Sequence, residues 1–371
     1  MALHRILVIG GYGNFGQFIC KTLAREPDIQ LVVAGRSPTR GHAFCASLQA
    51  CNKPQAVQLD IHQGLDSALQ AIKPDLVIHT SGPFQNQSYT VAEACIRQAC
   101  HYIDLADGRE FVCGIHTLSP AAEKAGVFVC AGASSVPGLS SALIEHYQPE
   151  FHQLHSVDYA ISTAHKTSRG LATTKAVLSY AGKPFSTRIN GRKADIIGWR
   201  GTRKVTFWDL GARLLGNCDI PDLQLFPQYY PHLKQIRFQA GLELGFIHRS
   251  LATMAWLVQL KLLPNLQYLS RPMMAVSRLF DLLGSENSGF FMIMTGEDQQ
   301  GMQKNIRFDL VARNGDGLYI PTIPATVLAL KLCRGKLAKT GASPCIGYVT
   351  LEEYLQRLAP LDIQWQTRVI D

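Results

Sequence analysis

Apolar residues in the first third of the chain fall in short dense runs, separated by stretches with helical spacing. Residues 5–10 (RILVIG) form a β-branched run ending in glycine, the pattern of a strand buried on both faces. Over residues 15–25, Phe15, Ile19, Leu23 and Ala24 recur at helical intervals. Further strand-like runs lie at 31–34, 56–59, 76–80, 102–105 and 127–131, and helical stretches at about 39–50, 64–72, 88–100 and 117–125 separate most of them. Such alternation predicts βαβ units with right-handed crossovers, and therefore an α/β, Rossmann-type doubly wound parallel sheet over residues 1–150.

Beyond Pro149 the rhythm changes. A strand-like run at 156–162 precedes a helical stretch near 171–181, and two more strand-like runs lie at 290–295 and 306–312. Residues 242–283 are rich in Leu, Met, Phe and Trp. This predicts a second, α+β domain over 151–319, serving substrate or dimerisation. Two helical stretches in the tail, 324–335 and 351–359, are expected to pack back on the first domain, as part of a C-terminal segment 320–371. The apolar run 251–263 contains Lys261 and is followed by Pro264, so it is too short to span a bilayer. A core helix is expected there, with a lining for a greasy substrate or a surface dipping into a membrane as alternatives.

Between the first strand and helix, Gly11-Tyr12-Gly13-Asn14-Phe15-Gly16 matches G-x-G-x-x-G. In that position the glycines have mechanical roles: Gly11 permits the tight turn, Gly13 admits a pyrophosphate to the backbone, and Gly16 lets helix and strand pack closely. The helix N-terminus then faces the phosphates. The expectation is a bound dinucleotide. At the end of the second strand an acid would bind a ribose 2′-OH, but this chain reads Ala34-Gly35-Arg36-Ser37-Pro38-Thr39-Arg40. Arg36, Ser37 and Arg40 suit a 2′-phosphate, which points to NADP(H) rather than NAD(H).

Asp60 closes the third strand, where it could accept from an adenine amino group or cap the following helix. Ser81-Gly82-Pro83-Phe84 follows the fourth strand at the carboxyl edge of the sheet, where ligands of open α/β folds bind.

With these motifs the chain resembles the saccharopine dehydrogenase-like family of NADP-binding oxidoreductases. GGYGNFG, AGRSPTR, SGPF, TVAEACIRQACHYIDLADG and AGASSVPGLSSAL carry the likeness over residues 1–145, and IPTIPATVLALKL with GASPCIGYVTLEEYL extends it near the C-terminus. Residues 150–315 show no such match. The family includes saccharopine dehydrogenases and reductases, polyamine-forming enzymes and lipid enoyl reductases. The resemblance implies cofactor contacts from Gly11, Gly13, Asn14, Phe15, Gly16, Arg36, Ser37, Asp60, Gly82, Pro83 and Phe84. It also implies that Asp104 faces the nicotinamide end, either orienting substrate or anchoring loop backbone. It fixes fold and cofactor, not substrate.

Hydride transfer needs a proton donor or acceptor beside the cofactor. The candidates are Asp104, His165 and Lys166, with Tyr102 and Asp107 behind them, and none stands in a diagnostic motif.

Composition narrows the classes. The chain is 47% hydrophobic and 17% charged, as in a folded globular protein. Its 10 cysteines show no metal-type spacing and several sit in apolar runs, so no metal site and a reducing, cytoplasmic setting are expected. The opening MALHRILVIGG has an apolar run of only strand length, so a secretory signal is not expected there. Residues 1–150 hold 10 Lys/Arg against 12 Asp/Glu, leaving 26 against 16 beyond them. Seven cations between Lys183 and Lys204 face one acid, Asp195, and read as a solvated basic loop.

No nucleic-acid module accompanies this charge. It suits instead an anionic or lipid-derived small-molecule substrate, or peripheral contact with a lipid surface. A homodimer fits this reading. The functional expectation is an NADP(H)-dependent oxidoreductase acting on a small or lipid-derived substrate in a cleft between domains. A non-catalytic NADP-binding regulatory or membrane-surface protein is the alternative.

Overall fold

The computed structural model describes residues 3–168 and 170–370, which divide into two compact units. The first comprises Met1–Ala142 with Leu318–Tyr354, and the second Leu143–Gly317 with Leu355–Asp371.

In the first unit, strands β1 (His4–Ile9), β2 (Ile29–Gly35), β3 (Gln55–Gln58), β4 (Leu76–His79), β5 (His101–Asp104) and β6 (Phe128–Ala131) alternate with helices. They lie in the order β3-β2-β1-β4-β5-β6, and a seventh strand, Gly341–Pro344, joins beyond β6. Every pairing is parallel. The doubly wound sheet predicted from the apolar rhythm is therefore present. Ile6, Leu7 and Val8 of β1 and Val77 and Ile78 of β4 are fully buried, because helices cover both faces of a parallel sheet.

Strand order reverses between β1 and β4, and the loops that follow these two strands meet there. Thr80 donates through its N–H and Oγ1 to the Ile9 carbonyl, both at 2.9 Å. The first tail helix, Ile323–Cys333, is buried from Ile323 through Leu330, and the preceding Tyr319 packs its ring 4.4 Å from that of Phe18. Arg334 at its end is paired with Glu26 and Asp28. These contacts place the helix in the first unit.

The second unit is built on a mixed sheet. Its strands are β7 (Gln153–Thr163), β8 (Pro184–Ile189), β9 (Arg192–Ile197), β10 (Arg203–Phe207), β11 (Gly211–Asn217), β12 (Gln235–Leu242), β13 (Ser288–Glu297) and β14 (Gln303–Ala312). With Gly341–Pro344 counted as β15, the last strand is β16 (Ile363–Ile370). The main sheet runs β10-β11-β12-β7-β13-β14-β16, with β8 and β9 as a separate hairpin. Only β12 and β7 run parallel in it.

Two sequence expectations change here. The basic stretch 183–204 is not a loop but the β8–β9 hairpin leading into β10, and Arg203 is held by Asp158 at 2.8 Å and by Gln239. The tail is also divided: β16 pairs with β14 and belongs to the second sheet. The run 251–263 falls in the helix Gly245–Gln259 and the turn after it, with Leu251 and Ala255 in a core that also contains Leu178, Trp199 and Leu266. Among the described residues no helix is long and apolar enough to cross a membrane.

Candidate functional site

The site grows from the glycine loop. Helix α1 (Gly16–Leu23) starts directly after the loop, so its first N–H groups, which have no intrahelical acceptors, border it. A Cβ at Gly16 would lie 2.2 Å from the Gly10 carbonyl and 2.8 Å from the Gly11 Cα, so only glycine lets α1 approach β1. At Gly13 a Cβ would meet the Gly10 carbonyl at 2.9 Å. Gly10 has φ +79°, and a Cβ there would strike Thr80 and Ser81 of the β4 loop. Asn14 Oδ1 is buried in the loop with no protein hydrogen bond among the described residues.

A second part of the site lies at the end of β2. Ser37 caps the helix Pro38–Ser47, its Oγ accepting from the Arg40 N–H at 3.4 Å. The hydroxyl can still donate its own proton. Arg36 and Arg40 are exposed. Tyr12 links this turn to the glycine loop: its hydroxyl accepts from the Ser37 N–H at 2.7 Å, and the Arg40 guanidinium lies over its ring at 5.1 Å. The tyrosine fits because residue 35 is glycine; a Cβ there would lie 2.3 Å from the hydroxyl. Neither Tyr12 nor Gly35 stands out by residue pattern, since the motif leaves position 12 free.

Asp60 lies beyond β3, and its Oδ1 accepts from the His62 N–H at 3.0 Å. It therefore closes a local turn, while Gly64, not Asp60, caps the next helix.

A third part surrounds the loop after β4. The Gln87 amide donates to the carbonyls of Ser81 at 3.0 Å and Pro83 at 2.8 Å, fixing the loop from beneath. Over Gly82 a Cβ would make only ordinary contact, 3.4 Å from the Phe84 ring, so protein packing does not demand glycine there. Phe84 itself is buried, with its ring 5.1 Å from His79 and 5.4 Å from Phe111. Its side chain packs between these two rings.

Asp104 holds loop backbone. It is fully buried, and its Oδ1 accepts from the N–H groups of Ala106 at 2.9 Å and Gly132 at 2.8 Å. These bonds hold the loops after β5 and β6. Burial raises its pKa from 3.8 to about 7, against the opposing pull of those N–H groups and the Tyr102 hydroxyl. Its strand neighbour His79 is also buried; its Nδ1 lies 3.2 Å from the Tyr102 hydroxyl, and desolvation lowers its pKa to about 3. His79 escaped sequence reasoning, although a histidine ending an apolar strand at the carboxyl edge is a signal.

Asp107 is only half-buried, and its Oδ1 accepts from Gln85 Nε2 at 3.1 Å. Burial raises its pKa, with the Gln85 bond opposing.

The remaining two candidates, His165 and Lys166, lie in the second unit. His165 is buried; its N–H donates to Glu243 at 2.8 Å, and its Nε2 lies 3.1 Å from the Ser277 carbonyl. Gly284 packs directly against it. The imidazole thereby helps to fasten the loop around Ser277. Lys166 is exposed, with its main-chain N–H bonded to the Ser285 carbonyl at 2.9 Å.

The family model of the saccharopine dehydrogenase NADP-binding domain matches residues 6–130. That segment is similar to this domain family. The matched segment runs from Ile6 within β1 to Cys130 within β6, and contains the glycine loop, the Arg36 turn and the Gly82 loop. In overall fold the chain is similar to saccharopine dehydrogenase (L-Glu forming) from Saccharomyces cerevisiae, with a TM-score of 0.71 at 13% identity over 99% of this chain and 100% of that one. An amine dehydrogenase from Mycobacterium smegmatis aligns over 94% of this chain and 96% of its own, with a TM-score of 0.49 at 10% identity. No curated protein matches the chain significantly in sequence. Among the described residues no His, Cys, Asp or Glu cluster could hold a metal ion.

Proposed function

We propose that the chain is an NADP(H)-dependent oxidoreductase that passes hydride to or from a small or lipid-derived substrate. The observation that carries this reading is the coupling of the glycine loop to a cationic, acid-free turn through Tyr12. NADP(H) would supply the hydride. The residues present fit it: a glycine cradle that any Cβ would obstruct, a buried Asn14 oxygen with no hydrogen-bond partner among the described residues, and two exposed guanidiniums beside a serine hydroxyl.

In this reading the N–H groups at the start of α1 and around Gly13 receive the pyrophosphate. Arg36, Ser37 and Arg40 hold the 2′-phosphate through charge-assisted hydrogen bonds. The Gly82-Pro83 backbone, fixed by Gln87, borders the nicotinamide end, where Asp104 and Gln87 set the shape of the loops. Asp107 is the better placed carboxyl for holding a proton there. It is only half-buried, its pKa is raised, and Gln85 orients one oxygen.

The test is to incubate the purified protein with NADPH and a panel of carbonyl, imine and enoyl compounds while following oxidation of the cofactor. Turnover of any of them supports the proposal. Tight NADPH binding with no turnover across the panel would favour the alternative, a protein that uses the cofactor as a regulatory ligand.

A further inference from the structure

Among the described residues, exposed large apolar side chains number fourteen, and nine of them lie between residues 246 and 283. The densest group ends the helix Ser270–Arg278: Val276, Leu279, Leu282 and Leu283 are 56%, 77%, 92% and 65% exposed. Phe246, at the start of the helix Gly245–Gln259, is 42% exposed and meets Phe280 ring to ring at 4.9 Å, which joins the two segments into one patch. The patch has a fixed base, because His165 Nε2 lies 3.1 Å from the Ser277 carbonyl and 3.4 Å from the Asp281 carboxylate.

Charge follows the same segment. Residues 246–283 hold Arg249, Lys261, Arg271 and Arg278 against one acid, Asp281, which faces His165. Arg249 lies one turn from Phe246, Arg278 adjoins Leu279, and both are exposed.

We propose that this apolar tip, with Arg249 and Arg278 at its rim, docks on an anionic lipid bilayer. Leu279, Leu282 and Leu283 enter the interface while the two arginines meet headgroup phosphates. Apolar residues beside lysine and arginine form the signature of an interfacial segment, and a contiguous exposed apolar patch calls for an occupant. A second copy fits less well. A stable protein interface covers roughly 800 Å² per partner with close packing, whereas a leucine 92% exposed at a helix end is a protrusion. A two-fold contact would also bring the same cations together.

The experiment is co-sedimentation of the full chain with vesicles of phosphatidylcholine, with and without about one-third phosphatidylserine. Binding is expected only to the anionic vesicles and is expected to fall as salt rises. Leu279→Glu with Leu282→Glu, and separately Arg249→Glu with Arg278→Glu, should each lower the bound fraction about tenfold or more. The melting temperature and NADPH affinity of both variants should match the parent, since all four side chains are exposed. Absence of binding to anionic vesicles, or binding that neither variant weakens, would overturn the proposal. So would a solution dimer dissociated by Leu282→Glu, because the tip would then belong to a second copy.

Discussion

The Tyr12 hydroxyl accepts the Ser37 main-chain N–H at 2.7 Å, and so ties the loop that would meet a pyrophosphate to the turn that would meet a 2′-phosphate. One side chain sets the spacing between two parts of one cofactor. Tyr12→Phe keeps the ring beneath Arg40 and removes only the acceptor. A hydrogen bond of this kind contributes about 1 kcal/mol net and is made without ligand, so the melting temperature should fall by about 2–4 °C and NADPH affinity by up to roughly fivefold. Fluorescence titration with NADPH measures this, and unchanged affinity would mean that the turn is positioned without the tyrosine.

Gly16→Ala should destabilise the first unit as well as the site. The added methyl would sit 2.2 Å from a carbonyl oxygen and 2.8 Å from a Cα, both backbone atoms with little freedom to yield. Overpacking of this sort costs about 1–3 kcal/mol. A thermal melt of the ligand-free variant should show the loss, and a melting temperature equal to the parent's would contradict the packing argument.

Asp104 and His79 make opposing contributions to the pH dependence of stability. The folded state raises Asp104 from 3.8 to about 7, so this group's stabilisation falls as pH rises through that window. The folded state lowers His79 from 6.5 to about 3, so its stabilisation is lost as pH falls below 6.5. Between about pH 4 and 6.5 the unfolded chain protonates His79 and the folded chain protonates Asp104, and the two effects cancel. Asp104→Asn keeps an acceptor for the Ala106 and Gly132 N–H groups but removes one of the two titrations. Relative to the parent, the variant should gain stability with rising pH over that window, with a slope up to about 1.4 kcal/mol per unit. Urea unfolding at pH 4.5 and 6.5 reads the slope; parallel curves for both proteins would refute the opposition.

His165→Ala should act on stability alone. Its imidazole fastens the segment around Ser277 and Asp281, and Gly284 packs against it. The variant is expected to melt earlier and to bind NADPH as the parent does. A fall in turnover with no change in melting would instead return His165 to the chemistry.

The first unit was legible because parallel strands buried on both faces announce themselves as dense apolar runs; β1, β4 and β6 follow that rule, and the glycine motif is a statement about backbone clearance. The second unit was less so. The basic residues of 183–204 are spread over a hairpin, the turn after it and the start of a strand, where Arg203 serves Asp158 across the sheet, and charge alone reads the same in a loop. Strand β16 carries Gln, Thr and Arg at an edge and has no apolar run to mark it. In the site, Arg36 and Ser37 could be named because a motif gives their position. Tyr12, Gln85 and Gln87 act through one or two contacts each, between segments distant from one another or within one loop, and no periodicity encodes these. Asp104 could be named from the resemblance, but its role became evident only from the two N–H groups it holds.

The central claim is that the turn after β2 selects NADP(H). The most direct measurement is titration of the parent and Arg36→Ala with NADPH and with NADH. A charge-assisted contact to a phosphate is worth about 1.5–3 kcal/mol, so the parent should prefer NADPH by at least about tenfold, and Arg36→Ala should lose most of that preference while NADH binding stays level. An unmutated protein that binds NADH as well as NADPH would contradict the account.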